Sequence, residues 1–268
     1  MYGATVPEGI EVEMYRRAAE RIVGRRVVAV EMPDPDYARG GMTQAQVADA
    51  VEGSTVEAVR RRGKLLLLDL DGAAGAATLG LRFGMTGRLV VDGEAPIDEL
   101  LYTSSRPDPA YVRAVLRFGG GGELEIVDPR RLGSVELEPD EDALGPDVFE
   151  IDAGDLAAAL RGGRGPLKAR LLDQHRVAGI GNLICDEVLW RAGLDPARAA
   201  GSLDDAEVVG PADTIRATVA ELLQRGGSHT GDLQDERTPA GRCPLDGGPL
   251  TRCTVGGRTT YWCRAHQR

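Results

Sequence analysis

Residues 178–182, Ala-Gly-Ile-Gly-Asn, join two apolar helical stretches, and their types suit the binding of an anion. Gly179 and Gly181 permit close approach of backbone to a ligand. Asn182 stands where the second helix begins, and a helix start offers unpaired N–H groups and the positive end of its dipole, a seat for phosphate. The same residues also suit an ordinary helical hairpin in which Asn182 is the N-cap. Basic residues cluster at 16–26, 60–64, 82–88, 130–131, 161–170 and 252–268, while acidic ones dominate 31–55, 92–99, 138–155 and 204–213. A net charge of −10 alone speaks against a polyanionic partner. If the basic segments share one face, that face binds phosphate while the remainder repels it. The alternative is solvated charge scattered over the surface.

The elements that must position these residues change character along the chain. Residues 7–23 read as a helix, with Pro7 at its first turn, Glu8 and Glu11 at the positive end of the dipole, and Gly24 as the stop. Ile10, Met14, Ala18 and Ile22 recur at helical spacing and predict the buried stripe. Short β-type runs follow at 27–30, 55–59, 64–70, 76–83, 88–91, 112–118, 123–127 and 134–137. Helices are predicted near 155–161, 167–174, 182–192 and 204–225, and three of the four cysteines fall in 243–268. The fold class is therefore α+β and multidomain: an N-terminal β-sandwich domain with a leading helix (1–137), a linker (138–154), a helical domain (155–240) and a small C-terminal β-hairpin finger (241–268). With 42% hydrophobic residues the chain can bury a core, and no apolar run is long enough to cross a bilayer. These features predict a cytoplasmic protein without membrane attachment. Only Lys64 and Lys168 are lysines among the 32 basic residues, and Asn182 is the sole asparagine, the skew of a GC-rich coding sequence.

The string Asp173-Gln174-His175-Arg176-Val177-Ala178-Gly179-Ile180-Gly181-Asn182-Leu183-Ile184-Cys185-Asp186-Glu187 closely resembles the helix–two-turn–helix of the formamidopyrimidine-DNA glycosylase and endonuclease VIII family. Other matches keep the family's order. Pro7-Glu8-Gly9-Ile10-Glu11 resembles its amino-terminal signature, and Arg61-Arg62-Gly63-Lys64-Leu65 its strand with a phosphate-binding lysine. Gly84-Met85-Thr86-Gly87 resembles the loop whose methionine fills the hole left by an everted nucleotide. Asp128-Pro129-Arg130-Arg131-Leu132-Gly133 resembles the second intercalating loop, with Leu132 in place of the usual phenylalanine wedge. Val255-Gly256-Gly257-Arg258-Thr259 resembles the hairpin turn whose arginine contacts the damaged strand. The resemblance thus implies DNA contacts by Lys64, Met85, Arg130, Arg131, Leu132, Lys168, Gly181, Asn182 and Arg258. The implied partner is damaged double-stranded DNA, bound by a monomer.

The family's finger holds one structural zinc through four cysteines. Here Cys243 and Asp246 are followed, after sixteen residues, by Cys263 and His266, so aspartate and histidine replace two thiolates. A Cys-Asp-Cys-His tetrahedron is chemically sound; Cys253 in place of Asp246, or a finger held by packing without metal, are the alternatives. Cys185 reads as a small buried residue.

The resemblance also implies the chemistry. The secondary amine of an N-terminal proline attacks sugar C1′, displaces the damaged base and forms an iminium, from which phosphate leaves by elimination. Glu8 protonates the ring oxygen and shuttles protons. The nitrogen of Pro7, however, is an amide wherever Val6 precedes it, and an amide forms no iminium. A valine codon GTG can start translation, so the expectation is that residue 6 is the initiator and that its removal exposes Pro7. Should the extension persist, Glu8 could still activate water in a lyase-free glycosylase, Lys64 is a substitute nucleophile, or the chain is a catalytically silent binder of damaged DNA. Pro-Glu-Gly stands closer to the endonuclease VIII branch, and 226–242 is too short for a long lesion-capping loop, which together lean away from strict 8-oxoguanine specificity.

Overall fold

The computed structural model describes residues 6–73, 75–97, 100, 108–204 and 206–268. The extension ahead of Val6, on which the N-terminal expectation turns, lies outside them. The chain divides into two units, the first comprising Glu11–Glu141 with the residues just ahead of Glu8, the second Glu8–Ile10 and Asp142–Arg268.

In the first unit, helix α1 (Gly9–Ala19) runs into a 3-10 turn at Glu20–Ile22. It buries Val12, Tyr15, Ala19 and Ile22, so the apolar stripe is rotated from the expected one: Ala18 is half-buried and Met14 packs at the edge. Eight strands follow, β1 (Val27–Glu31), β2 (Thr55–Arg62), β3 (Leu65–Gly72), β4 (Gly75–Arg82), β5 (Arg88–Val91), β6 (Val112–Phe118), β7 (Glu123–Val127) and β8 (Ser134–Leu137). They pair antiparallel into two four-stranded sheets, ordered β2-β3-β4-β8 and β1-β6-β7-β5. Alternate residues of both sheets, among them Leu66, Leu68, Leu79, Leu81, Leu116, Leu124 and Ile126, meet in one core, as the period-2 pattern of half-buried strands requires. Helix α2 (Gln44–Val51) sits where only β-type runs were expected. Its capping box, Thr43 with Gln46, and the buried pair Val47 and Val51 are the signals that mark it.

The second unit is helical: α3 (Ala153–Leu160), α4 (Leu167–Leu172), α5 (Asn182–Arg191) and α6 (Val209–Arg225), closed by a hairpin of β9 (Thr251–Val255) and β10 (Arg258–Trp262). Ile10 from the first turn of α1 joins its core beside Ile180, Ile184, Val188 and Leu171. No helix among the described residues is long and apolar enough to cross a membrane.

Candidate functional site

The turn between α4 and α5 is organised by one side chain. Gln174 donates from Nε2 to the carbonyls of Leu172 and Ile180, both at 2.9 Å, and its Oε1 accepts from the Gly179 N–H at 3.0 Å. Gly181 is the extended N-cap of α5 and Asn182 the first helical residue. The N–H groups that follow are not open to a phosphate, as the residue types suggested. Glu8 occupies them: Oε1 accepts from Leu183 N–H at 2.9 Å and Oε2 from Ile184 N–H at 3.0 Å. A carboxylate at the positive end of a helix is stabilised both by these bonds and by the dipole. Glu8 is thereby 2% exposed and locked beside Asn182, although the two are 174 positions apart in the sequence. Gly9 N–H reinforces the seat by donating to the Gly179 carbonyl at 2.9 Å.

This seat explains Gly181. A Cβ there would overlap the Glu8 carboxyl group, and moving that group aside would break its bonds to the Leu183 and Ile184 N–H groups. Gly181→Ala is expected to cost about 2 kcal/mol or more, read as a lower urea midpoint at unchanged slope. An unchanged midpoint would show that the seat is looser than described.

The hairpin turn is Gly256-Gly257, both with positive φ (59° and 74°), as a two-residue type I′ connection demands. Arg258 begins β10 and is exposed. Lys168, expected at DNA phosphate, is corrected by the structure. Its side chain is fully buried, and Nζ donates to Asp186 Oδ1 at 2.6 Å, Thr260 Oγ1 at 2.8 Å and the Thr259 carbonyl at 3.1 Å. An ammonium has three hydrogens, and all three have acceptors inside the protein. Asn182 Nδ2 donates to the same Thr259 carbonyl at 3.2 Å.

The candidate metal ligands converge. One donor atom from each of Cys243, Asp246, Cys263 and His266 lies within 4.8 Å of the others. His266 Nδ1 faces inward, 3.6 Å from Cys243 Sγ and 3.4 Å from Asp246 Oδ2, while Nε2 lies 3.1 Å from the Trp190 carbonyl. That outer bond orients the ring and leaves Nδ1 for a ligand's role. Trp190 Nε1 donates to Cys243 Sγ at 3.3 Å, which fixes the position of the sulfur. Two sulfurs, one nitrogen and one carboxylate oxygen form a donor set suited to tetrahedral zinc. Cys253 is not part of the cluster, and all four cysteines are thiols.

In the first unit, Lys64 occupies the two-residue turn between β2 and β3, where Arg62 pairs with Leu65. Met85 is half-buried and Leu132 is 46% exposed. Asp128, which sequence reasoning did not single out, ties their loops together. Fully buried, it accepts from Tyr37 Oη at 3.1 Å, Gly133 N–H at 2.8 Å, Arg130 N–H at 3.3 Å and, through a short bond, Thr86 Oγ1. Burial, and then the Asp128 carboxylate, push the Tyr37 hydroxyl well above its ordinary range, so it remains a donor. The two loops touch: Gly84 has φ +56°, and a Cβ there would meet the Leu132 carbonyl group. Arg131 is drawn away, its Nη2 pairing with Asp34 at 2.7 Å and Asp36 at 3.0 Å. The guanidinium holds the Asp34 carboxyl below the usual carboxylate range. With two acids against it, Arg131 carries little net charge toward a phosphate, although both it and Arg130 are exposed. Pro7 is buried immediately ahead of Glu8.

A proline–glutamate pair ahead of α1, paired sheets with a Met/Leu loop couple, and a helix–two-turn–helix fastened to a metal-ligand hairpin define a class of DNA glycosylases. Residues 6–135 match the formamidopyrimidine-DNA glycosylase N-terminal domain, and residues 143–233 the H2TH domain of the same enzymes. The chain belongs to the formamidopyrimidine-DNA glycosylase family. It is 34% identical to the formamidopyrimidine-DNA glycosylase of Cereibacter sphaeroides, covering 98% of this chain and 100% of the relative. The Paracoccus denitrificans enzyme of that name is 33% identical, with 96% and 98% covered. Among solved structures, Lactococcus lactis Fpg bound to DNA containing N7-benzyl-Fapy-dG aligns with a TM-score of 0.81 at 26% identity, over 98% of this chain and 100% of that one. The same protein on DNA with an abasic site aligns at 0.80 and 26%, with 97% and 99% covered.

Proposed function

We propose that this chain is a DNA glycosylase of base-excision repair that everts and removes oxidised or otherwise damaged bases, and that it cleaves the resulting abasic site when Pro7 is its first residue. The observation that carries the reading is the seat of Glu8 on the first turn of α5, one residue from Asn182. It holds a carboxyl group for proton transfer in fixed relation to a side-chain amide that suits a phosphate oxygen.

Lys64, Asn182 and Arg258 grip phosphates, Arg130 joins them from its loop, and Gly181 lets the backbone come close. Met85 and Leu132 fill the space of the everted nucleotide, as extrusion of a base from the stack requires. Arg131 serves its loop through Asp34, and Lys168 acts inside the protein. The Pro7 amine, once free, attacks C1′; its N–C1′ bond forms as the glycosidic bond breaks, and the base leaves with a proton. Glu8 protonates O4′ as the C1′–O4′ bond breaks and the iminium forms. Its carboxylate then takes a C2′ proton as the C3′–O bond breaks and phosphate leaves, and water hydrolyses the iminium to free Pro7. Cys243, Asp246, Cys263 and His266 hold a structural zinc, which supplies no chemistry to the reaction. The protein works as a cytoplasmic monomer.

The test is excision from two duplexes, one with a single formamidopyrimidine and one with an oxidised pyrimidine, beside binding of a reduced abasic site. Asn182→Ala is expected to weaken binding about tenfold, the worth of one charge-assisted phosphate contact, with the thermal midpoint little changed. An unaltered isotherm would remove Asn182 from the interface. A gel shift with no excision from either duplex would favour a silent binder.

A further inference from the structure

Lys168 lies between the two groups assigned to DNA phosphates in the second unit. The Thr259 carbonyl, next in sequence to Arg258, accepts from both Lys168 Nζ and Asn182 Nδ2. Thr260 accepts from Lys168 through its hydroxyl, and the Tyr261 N–H donates to Asp186 Oδ2 at 3.2 Å. The same carboxylate takes Lys168 on Oδ1 and, by a short bond, the Arg237 guanidinium on Oδ2. Three successive residues of β10 are thus hydrogen-bonded to side chains of α4 or α5. At the turn, Gly256 lies so close to Ala169 that a Cβ would stand 2.7 Å from the alanine methyl.

None of these bonds involves the four metal-ligand residues. Cys263 follows Arg258 by five positions along extended chain, roughly 16 Å. Metal at Cys243, Asp246, Cys263 and His266 can therefore fix the base of the hairpin, while its DNA-facing tip is held elsewhere. Buried charged bonds in a low-dielectric setting are short, directed and unforgiving of displacement.

We propose that Lys168 is a positioning residue: through Asp186, Thr259 and Thr260 it fastens β10 to the start of α5 and so sets the separation of Arg258 from Asn182, independently of the metal. The proposal rests on the DNA-contact reading of those two residues. Lys168 touches no phosphate and exerts its effect on binding through Arg258.

Two measurements on the full chain test this. The first is a double-mutant cycle on a duplex with one reduced abasic site. Arg258→Ala and Lys168→Met should each raise Kd about tenfold, and the double variant should be no more than about twofold weaker than the worse single. Additive losses, with the slope of log K on log salt falling by about one further unit in the double variant, would place Lys168 on a phosphate and overturn the proposal. An unchanged Kd for Arg258→Ala would remove the contact reading itself, a distinguishable failure. The second needs no variant: amide hydrogen exchange of residues 258–262 in the wild-type protein with and without a zinc chelator. Retained protection after metal removal supports the clamp, and exchange at the unprotected rate shows that the metal does the positioning.

Discussion

A chain beginning at Pro7 is expected to be captured by borohydride on an abasic duplex, and a chain keeping Val6 ahead of Pro7 is expected to give no adduct above background. The difference is one of bonding. A free pyrrolidine nitrogen carries a nucleophilic lone pair; acylated by Val6, the same nitrogen delocalises that pair into the carbonyl and cannot form a neutral carbinolamine or an iminium. Both proteins keep Glu8, the Asn182 turn and the hairpin, so both should shift the duplex in a gel. The measurement is a denaturing gel after reduction, with the N-terminus of each preparation fixed by intact mass. An adduct of equal yield from the Val6-bearing chain would assign the nucleophile to another amine, with Lys64 the first to replace.

Glu8→Gln is expected to lower single-turnover base excision by about 10²- to 10⁴-fold, the usual contribution of a positioned proton donor. Binding to a reduced abasic site should change little, because Glu8 faces the α5 backbone and not the phosphates. The substitution carries a second effect that only the geometry reveals. Both carboxylate oxygens accept backbone N–H groups, from Leu183 and Ile184. Glutamine has one acceptor oxygen, so its NH₂ must confront the other N–H. A stability loss of about 1–2 kcal/mol should accompany the loss of excision. Excision is therefore measured below the denaturation range, where a purely structural defect would vanish. Excision within tenfold of wild type would remove Glu8 from the proton-transfer role.

The strands were legible because alternation and Gly, Pro and Asp punctuation survive in short β segments; all eight appear where the sequence places them, with ends differing by a few residues. Helix α2 was hidden because its eight residues carry only two buried side chains, too few for a periodic signal beside so many β-type runs. The site divides in the same way. Glu8, Asn182, Arg258 and the four metal-ligand residues sit in motifs whose spacing is visible along the chain. Asp128, Gln174 and Asp186 act by reaching across turns or between distant segments, and nothing in their immediate neighbours announces it. Lys168 misled for the same reason. A lysine in a basic stretch reads as solvent-facing, and only the folded arrangement brings Asp186, Thr259 and Thr260 around it. The stripe of α1 came out rotated because Ile10 serves the second unit while Val12 and Tyr15 serve the first.

Two neighbouring acids on α5 look in different directions. Asp186 takes Lys168, Arg237 and the Tyr261 N–H, while Glu187 accepts the N–H groups of Asp232 and Leu233, each at 3.0 Å. Residues 232–237 and strand β10 are therefore tied to two adjacent residues of α5, in addition to the bonds that Lys168, Asn182 and Trp190 make to the finger. Anyone grafting this finger onto a foreign scaffold would have to transplant that turn of α5 as well, together with its lysine, or the hairpin would arrive folded yet aimed at nothing.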